Sequence, residues 1–221
     1  MMKHLDREID RLKAKILSLS SLVEENVTRA IKAVVEHEIE SAKAVAQSDD
    51  EVDRLEVEVE EECLKVLALY QPVAIDLRYI IAILKINNDL ERIGDLSVNI
   101  AYRALELSPQ GVSPDVWALV EDMTSRVRQM LSSSLQSMVN LDAQVARNVC
   151  AADKEVDQLN KAIYRKLLNL IKADPTHADN LLLVLNTSRN LERIADHVTN
   201  IAEDVIYMTQ GEIVRHGRAL L

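Results

Sequence analysis

The chain has 221 residues, 48% of them hydrophobic and 28% charged, with four Gly, four Pro, 3% aromatics and no Phe. A β-sandwich or barrel needs frequent turns and aromatic or β-branched strands, so this composition excludes one and reads as all-α. The formal net charge of −10 argues against nucleic acid as the primary partner, because a phosphate-backbone binder carries a basic excess.

The N-terminal residues Met1 to Glu8 include Asp6 and Glu8 where a signal peptide would place its apolar region. The longest apolar run, Tyr79 to Leu84, stops at Lys85, far short of a membrane span. A cytoplasmic protein is expected, with Cys63 and Cys150 as buried, reduced thiols.

Helix breakers divide the chain. Pro72, Pro109, Pro114 and Pro175 mark reversals. A weaker break lies at Gln47 to Asp50, where Ser48 or Asp49 caps a new helix, and a matching break is expected near Ala152 and Asp153. Six helices follow, at about 3–46, 49–70, 73–107, 115–151, 153–172 and 176–209.

The two halves repeat. Glu51-Val52-Asp53 recurs as Glu155-Val156-Asp157 at an offset of 104, and the stripe Val52, Leu55, Val59, Cys63, Val66 recurs as Val156, Leu159, Ile163, Leu167, Leu170. Leu90 to Asp95 recurs as Leu191 to Asp196 at an offset of 101. The architecture expected is two tandem homologous antiparallel three-helix bundles, residues 1–108 and 115–221, joined by a linker at 109–114.

Four acidic i, i+4 pairs occupy equivalent places: Asp49/Asp53, Glu91/Asp95, Asp153/Asp157 and Glu192/Asp196. That spacing puts both carboxylates of a pair on one helix face. Where two helices join by a short turn, residues equidistant from the turn lie at one level. Asp53 and Glu91, and likewise Asp49 and Asp95, are centred on Pro72. Asp157 with Glu192, and Asp153 with Asp196, are centred between Asp174 and Pro175. Each half should therefore gather four carboxylates across two neighbouring helices. Such a cluster retains protons or binds cations, and oxygen ligands suit Mg²⁺, Mn²⁺ or carboxylate-bridged iron. The competing readings are helix caps at Asp49 and Asp153, and ion pairs of Glu91 and Glu192 with nearby Arg92, Arg193 or a lysine. No HExxH, ExxH pair, GxxxxGK[ST], GxGxxG or GxSxG occurs; His197, beside Asp196, is at most a peripheral ligand.

Gln71 to Arg78, Asp89 to Asp95, Asn190 to Tyr207 and the tail Gly211 to His216 together resemble the PhoU family over nearly the whole chain. The resemblance implies two metal sites built from E(D)xxxD motifs: Asp49, Asp53, Glu91 and Asp95, then Asp153, Asp157, Glu192 and Asp196. Asn99 and Asn200 are weaker candidates. It implies a divalent or multinuclear metal (iron, zinc, manganese or magnesium), a homodimer, and contact with the phosphate ABC transporter ATPase and a PhoR-type sensor kinase. The role implied is a negative regulator of the phosphate-starvation response, not an enzyme. A carboxylate-bridged metal enzyme and a plain helical scaffold are the alternatives.

Overall fold

The computed structural model describes residues 2–108 and 110–214. The expectations for Pro109 and His216 fall outside the described residues. Among the described residues seven α-helices form: α1 Met2–Val35, α2 Ile39–Gln47, α3 Asp49–Tyr70, α4 Ala74–Glu106, α5 Pro114–Asn140, α6 Ala143–Ala173 and α7 Ala178–Gln210. A short 3₁₀ turn, Pro175–His177, precedes α7, and no strand occurs among the described residues.

Two boundaries differ from expectation. The first helix does not run to residue 46; it stops at Val35, where His37 takes a left-handed φ of 55° and Glu38 is extended. Nor does a break exist at Ala152 and Asp153. The second reversal lies at Leu141, with φ 52°, and Asp142, whose carboxylate accepts from the backbone N–H groups of Gln144 and Val145 at 2.9 and 3.1 Å. Asp142 is thus the N-cap of α6, and Asp153 lies in the helix interior.

The repeat offset explains both. Residues 39 and 143 are equivalent, so α2 and α3 together correspond to the continuous α6. Ala42 and Val45 are buried like their equivalents Ala146 and Val149. The helix is interrupted only in the first copy, at Ser48, whose hydroxyl oxygen lies 2.8 Å from Val45 O and 2.9 Å from Oδ1 of the buried Asn26, with one proton to donate between them. Ala152 stands at that position in the second copy and has no hydroxyl to divert the backbone. Each copy is therefore a three-helix unit: α1, α2–α3 and α4, then α5, α6 and α7.

Helices α4 and α7 form the centre. Both bury residues on several faces, because each packs on its own bundle and on the other. The contacts Asp89–His197 and Lys85–Asp204 run in opposite sequence directions, so α4 and α7 are antiparallel. The outer helices are amphipathic; α1 buries Leu12, Ile16, Leu19, Val23, Val27 and Ala30 along one stripe. Fully burying each such Leu, Ile or Val side chain contributes about 1.5–3 kcal/mol.

Candidate metal centres

The turns that join α3 to α4 and α6 to α7 set the level of the carboxylates. Gln71, at φ 46°, caps α3, and Pro72 is buried in the turn. The antiparallel pairing about this turn brings the acids of the first copy into mutual range. Burial, then the charges of Asp53 and Asp95, push the carboxyl of Asp49 above its ordinary value. Burial, then Asp95, outweighs the nearby Arg92 and raises Glu91, with Asp53 and Glu56 adding to the effect. Asp49 opens α3 rather than capping it, so its carboxylate also meets the positive end of the helix dipole.

The second copy repeats the pattern. Burial, then Asp157 and Glu192, raise Asp153. Burial, then Asp153, Glu192 and Asp157, raise Asp196, against a small opposing pull from His197. All eight acids expected from the sequence thus fall into two electrostatic clusters, one per bundle. Asp53 and Asp196 are exposed; the other six are partly buried.

Ion pairs account for part of each cluster. Arg92 reaches Asp95 Oδ2 at 3.0 Å and Glu91 Oε2 at 3.3 Å. Lys161 reaches Asp157 at 3.4 Å. Arg193 makes no ion pair among the described residues, so the expected pairing with Glu192 does not form. Asn99 is exposed, and Asn200 donates to Asp89 of α4 at 3.1 Å, beside the 2.8 Å contact of His197 with the same oxygen. These two residues tie the bundles together.

One further acid joins the first cluster. Glu56 accepts from Asn87 Nδ2 through its backbone oxygen at 2.9 Å and its side chain at 3.1 Å. Burial, then Glu60 and Asp53, raise its carboxyl. The repeat offsets map this pair onto Asn160 and Ser188, which share a 3.0 Å hydrogen bond. The polar α–α tie is duplicated, but the carboxylate is present only in the first copy. A search for acids common to both halves misses it; the signal was Asn87, a buried amide opposite an acid.

The residues present suit a hard cation by donor type, since all eight acids offer carboxylate oxygens and six of them are partly buried. Glu91 Oε2 is buried and lacks a hydrogen-bond partner despite its nearness to Arg92. Thr199 lies beside Asp153 and draws its carboxyl downward, although its own buried oxygen closes no hydrogen bond of ordinary geometry. Among the described residues no group of three or more His, Cys, Asp or Glu stands close enough together to hold a metal ion. Completing a coordination shell therefore requires side-chain rotation, which the exposed Asp53 and Asp196 have room to make.

Two tandem helical bundles, packed through α4 and α7 and each with mirrored acidic pairs on its second and third helices, define a class of duplicated all-α proteins. The PhoU domain family matches residues 16–104 and 120–205. A phosphate-specific transport system accessory protein PhoU homolog of Pseudomonas aeruginosa is 37% identical over 97% of this chain and 88% of its own length. A homolog from Thermotoga maritima is 34% identical over 95% and 90%. The crystal structure of PhoU from Pseudomonas aeruginosa superposes with a TM-score of 0.90, covering 93% of this chain and 99% of that one. The phosphate transport system regulatory protein PhoU from Streptococcus pneumoniae, 29% identical, gives 0.87 over 95% and 99%. The chain belongs to the PhoU family.

Proposed function

We propose that this protein is an accessory regulator of a phosphate transport system, a role that the names of its relatives carry. The observation that carries the reading is the family match on both repeats, together with a relative aligned over more than nine-tenths of the chain. In this reading the protein is a cytoplasmic homodimer. It is an adaptor, not an enzyme, between the phosphate ABC transporter ATPase and a PhoR-type sensor kinase. It holds the phosphate-starvation response off when phosphate is plentiful.

The acidic clusters supply a physical switch. Repulsion among Asp49, Asp53, Glu91 and Asp95, and among Asp153, Asp157, Glu192 and Asp196, is relieved by a divalent or multinuclear metal. A bound cation supplies the positive charge these faces lack. Any ligand that favours the folded state stabilises it by mass action, which fixes the α3–α4 and α6–α7 faces for docking.

Deleting the gene should make phosphatase expression constitutive in phosphate-rich medium; unchanged repression would sink the regulatory role. Metal analysis of the purified chain should show bound cation, reduced in the Glu91→Ala/Asp95→Ala variant. Equal metal content in the two proteins would remove the first site.

A further inference from the structure

Helices α1 and α5 meet only across the junction of the two repeats, and they leave a cavity of about 420 Å³ between them. The buried Val27 and Leu131 form its floor. Its walls are polar. Helix α5 contributes Ser125, Arg128 and Ser132 at i, i+3 and i+7, with Gln129 and Ser133 beside them. Helix α1 contributes Glu24 and Thr28, one turn apart.

None of these seven polar side chains makes a hydrogen bond or ion pair with any described residue. Arg126, on the other flank of α5, is paired with both Asp122 and Glu155. The α1–α5 cavity instead holds an uncommitted guanidinium, four uncommitted hydroxyls and a carboxamide.

We propose that this cavity binds a small phosphate monoester whose organic part carries hydroxyl groups. The donor count selects the anion. A planar carboxylate is satisfied by the guanidinium fork alone, whereas a phosphoryl group offers three acceptor oxygens and uses the hydroxyls as well. Glu24 selects the rest of the ligand. As an acceptor-only group it repels a bare anion, but it accepts hydrogen bonds from ligand hydroxyls on the opposite wall. The volume lies within the range of small-molecule pockets. The site is separate from the acidic clusters and does not depend on their binding metal.

The test is calorimetric titration of the full chain with ribose 5-phosphate, inorganic phosphate and ribose. Excess chelator keeps cations at the acidic clusters from recruiting phosphate. Ribose 5-phosphate should bind saturably, and more tightly than either of the others. Arg128→Gln should weaken that binding about tenfold or more, the usual consequence of losing a charge-assisted hydrogen bond. Glu24→Gln should weaken the ester yet leave inorganic phosphate unchanged or improved. Both positions are solvent-accessible, and unaltered unfolding curves would confirm that the variants fold. Three results overturn the proposal: no saturable binding of the ester, inorganic phosphate binding as tightly as the ester, or ester binding indifferent to Arg128→Gln.

Discussion

Glu91 carries the conflict of the first cluster in a single side chain. Burial and three neighbouring acids raise its carboxyl, and Arg92 only partly compensates. Because the folded state holds this proton more tightly than the unfolded one, its contribution to stability is complete below the ordinary carboxylate range. That contribution is lost as pH rises through the raised value. At pH 7 the ionised, unsatisfied Glu91 is therefore a cost. In chelator, Glu91→Gln should raise the melting temperature at pH 7 by roughly 2–4 °C, the effect of about 1 kcal/mol in a chain of this size. The gain should fade as pH falls, since protonation neutralises the wild-type side chain too. Added divalent cation should stabilise the wild type more than the variant. Scanning calorimetry decides it, and a lower melting temperature for Glu91→Gln at pH 7 would mean that the Arg92 pair outweighs the repulsion.

The two thiols give a second prediction at this scale. Burial, then Glu62 and Glu60, push Cys63 up to about 12; burial, then Glu203, pushes Cys150 to about 11. At pH 8 the thiolate, which is the reactive form, is on the order of one part in a thousand or less. Thiol reagents should leave both cysteines nearly untouched in the native protein, Cys63 more completely, and titrate two equivalents after denaturation. Cys63 is buried as expected, whereas Cys150 is only partly buried, so fast native labelling of Cys63 would contradict its placement.

Among the elements, the α3–α4 pair is closely packed at Gly94. A Cβ added at Gly94 would meet Val52 Cγ1 at 3.0 Å. Val52 is 1% exposed, and as a β-branched residue it is stiff at χ1, so it has little room to yield. The second copy has Ala195 and Val156 at the equivalent places, so the methyl that the first copy omits is present there. Gly94→Ala should therefore destabilise by about 1 kcal/mol, although alanine favours the helix. It should also lower cation content at the first cluster while leaving the second. Ala195→Gly should cost about the same through helix propensity alone and leave metal content unchanged. Urea unfolding and metal analysis on both variants separate crowding from propensity.

This scale also shows how far the sequence could be read. The mirrored pairing about Pro72 was legible because antiparallel helices joined by a tight turn leave no freedom in level. The reversals at His37 and Leu141 were not, because each puts a non-glycine residue into the left-handed region without a proline nearby. Such turns are set by tertiary packing, in the second case with the help of Asp142, whose cap was an available local signal. The interruption at Ser48 was visible but misread. It lies inside the second helix of its bundle, and only the aligned Ala152 reveals that it has no counterpart.

At the scale of the whole molecule, the question is whether two repeats make one cooperative unit. Their shared seam is α4 against α7. Its polar contacts are not duplicated: Asp89 corresponds to Asn190, His197 to Leu96 and Lys85 to Asn186. An apolar seam inherited from the repeat is thus supplemented by a one-sided tie in which Asp89 Oδ1 meets both His197 and Asn200. Trp117 reports on the junction from elsewhere, since its ring meets His37 of the other repeat edge-on at 5.4 Å. In the wild type, Trp117 fluorescence and far-UV circular dichroism should follow one coincident urea transition, as cooperative unfolding requires. Asp89→Ala deprives both partners at once and should cost about 1–3 kcal/mol. It should shift the two curves together, because the buried apolar contacts of α4 and α7 still join the halves. A fluorescence transition that precedes the loss of helix in Asp89→Ala would assign the union of the repeats to the polar tie instead.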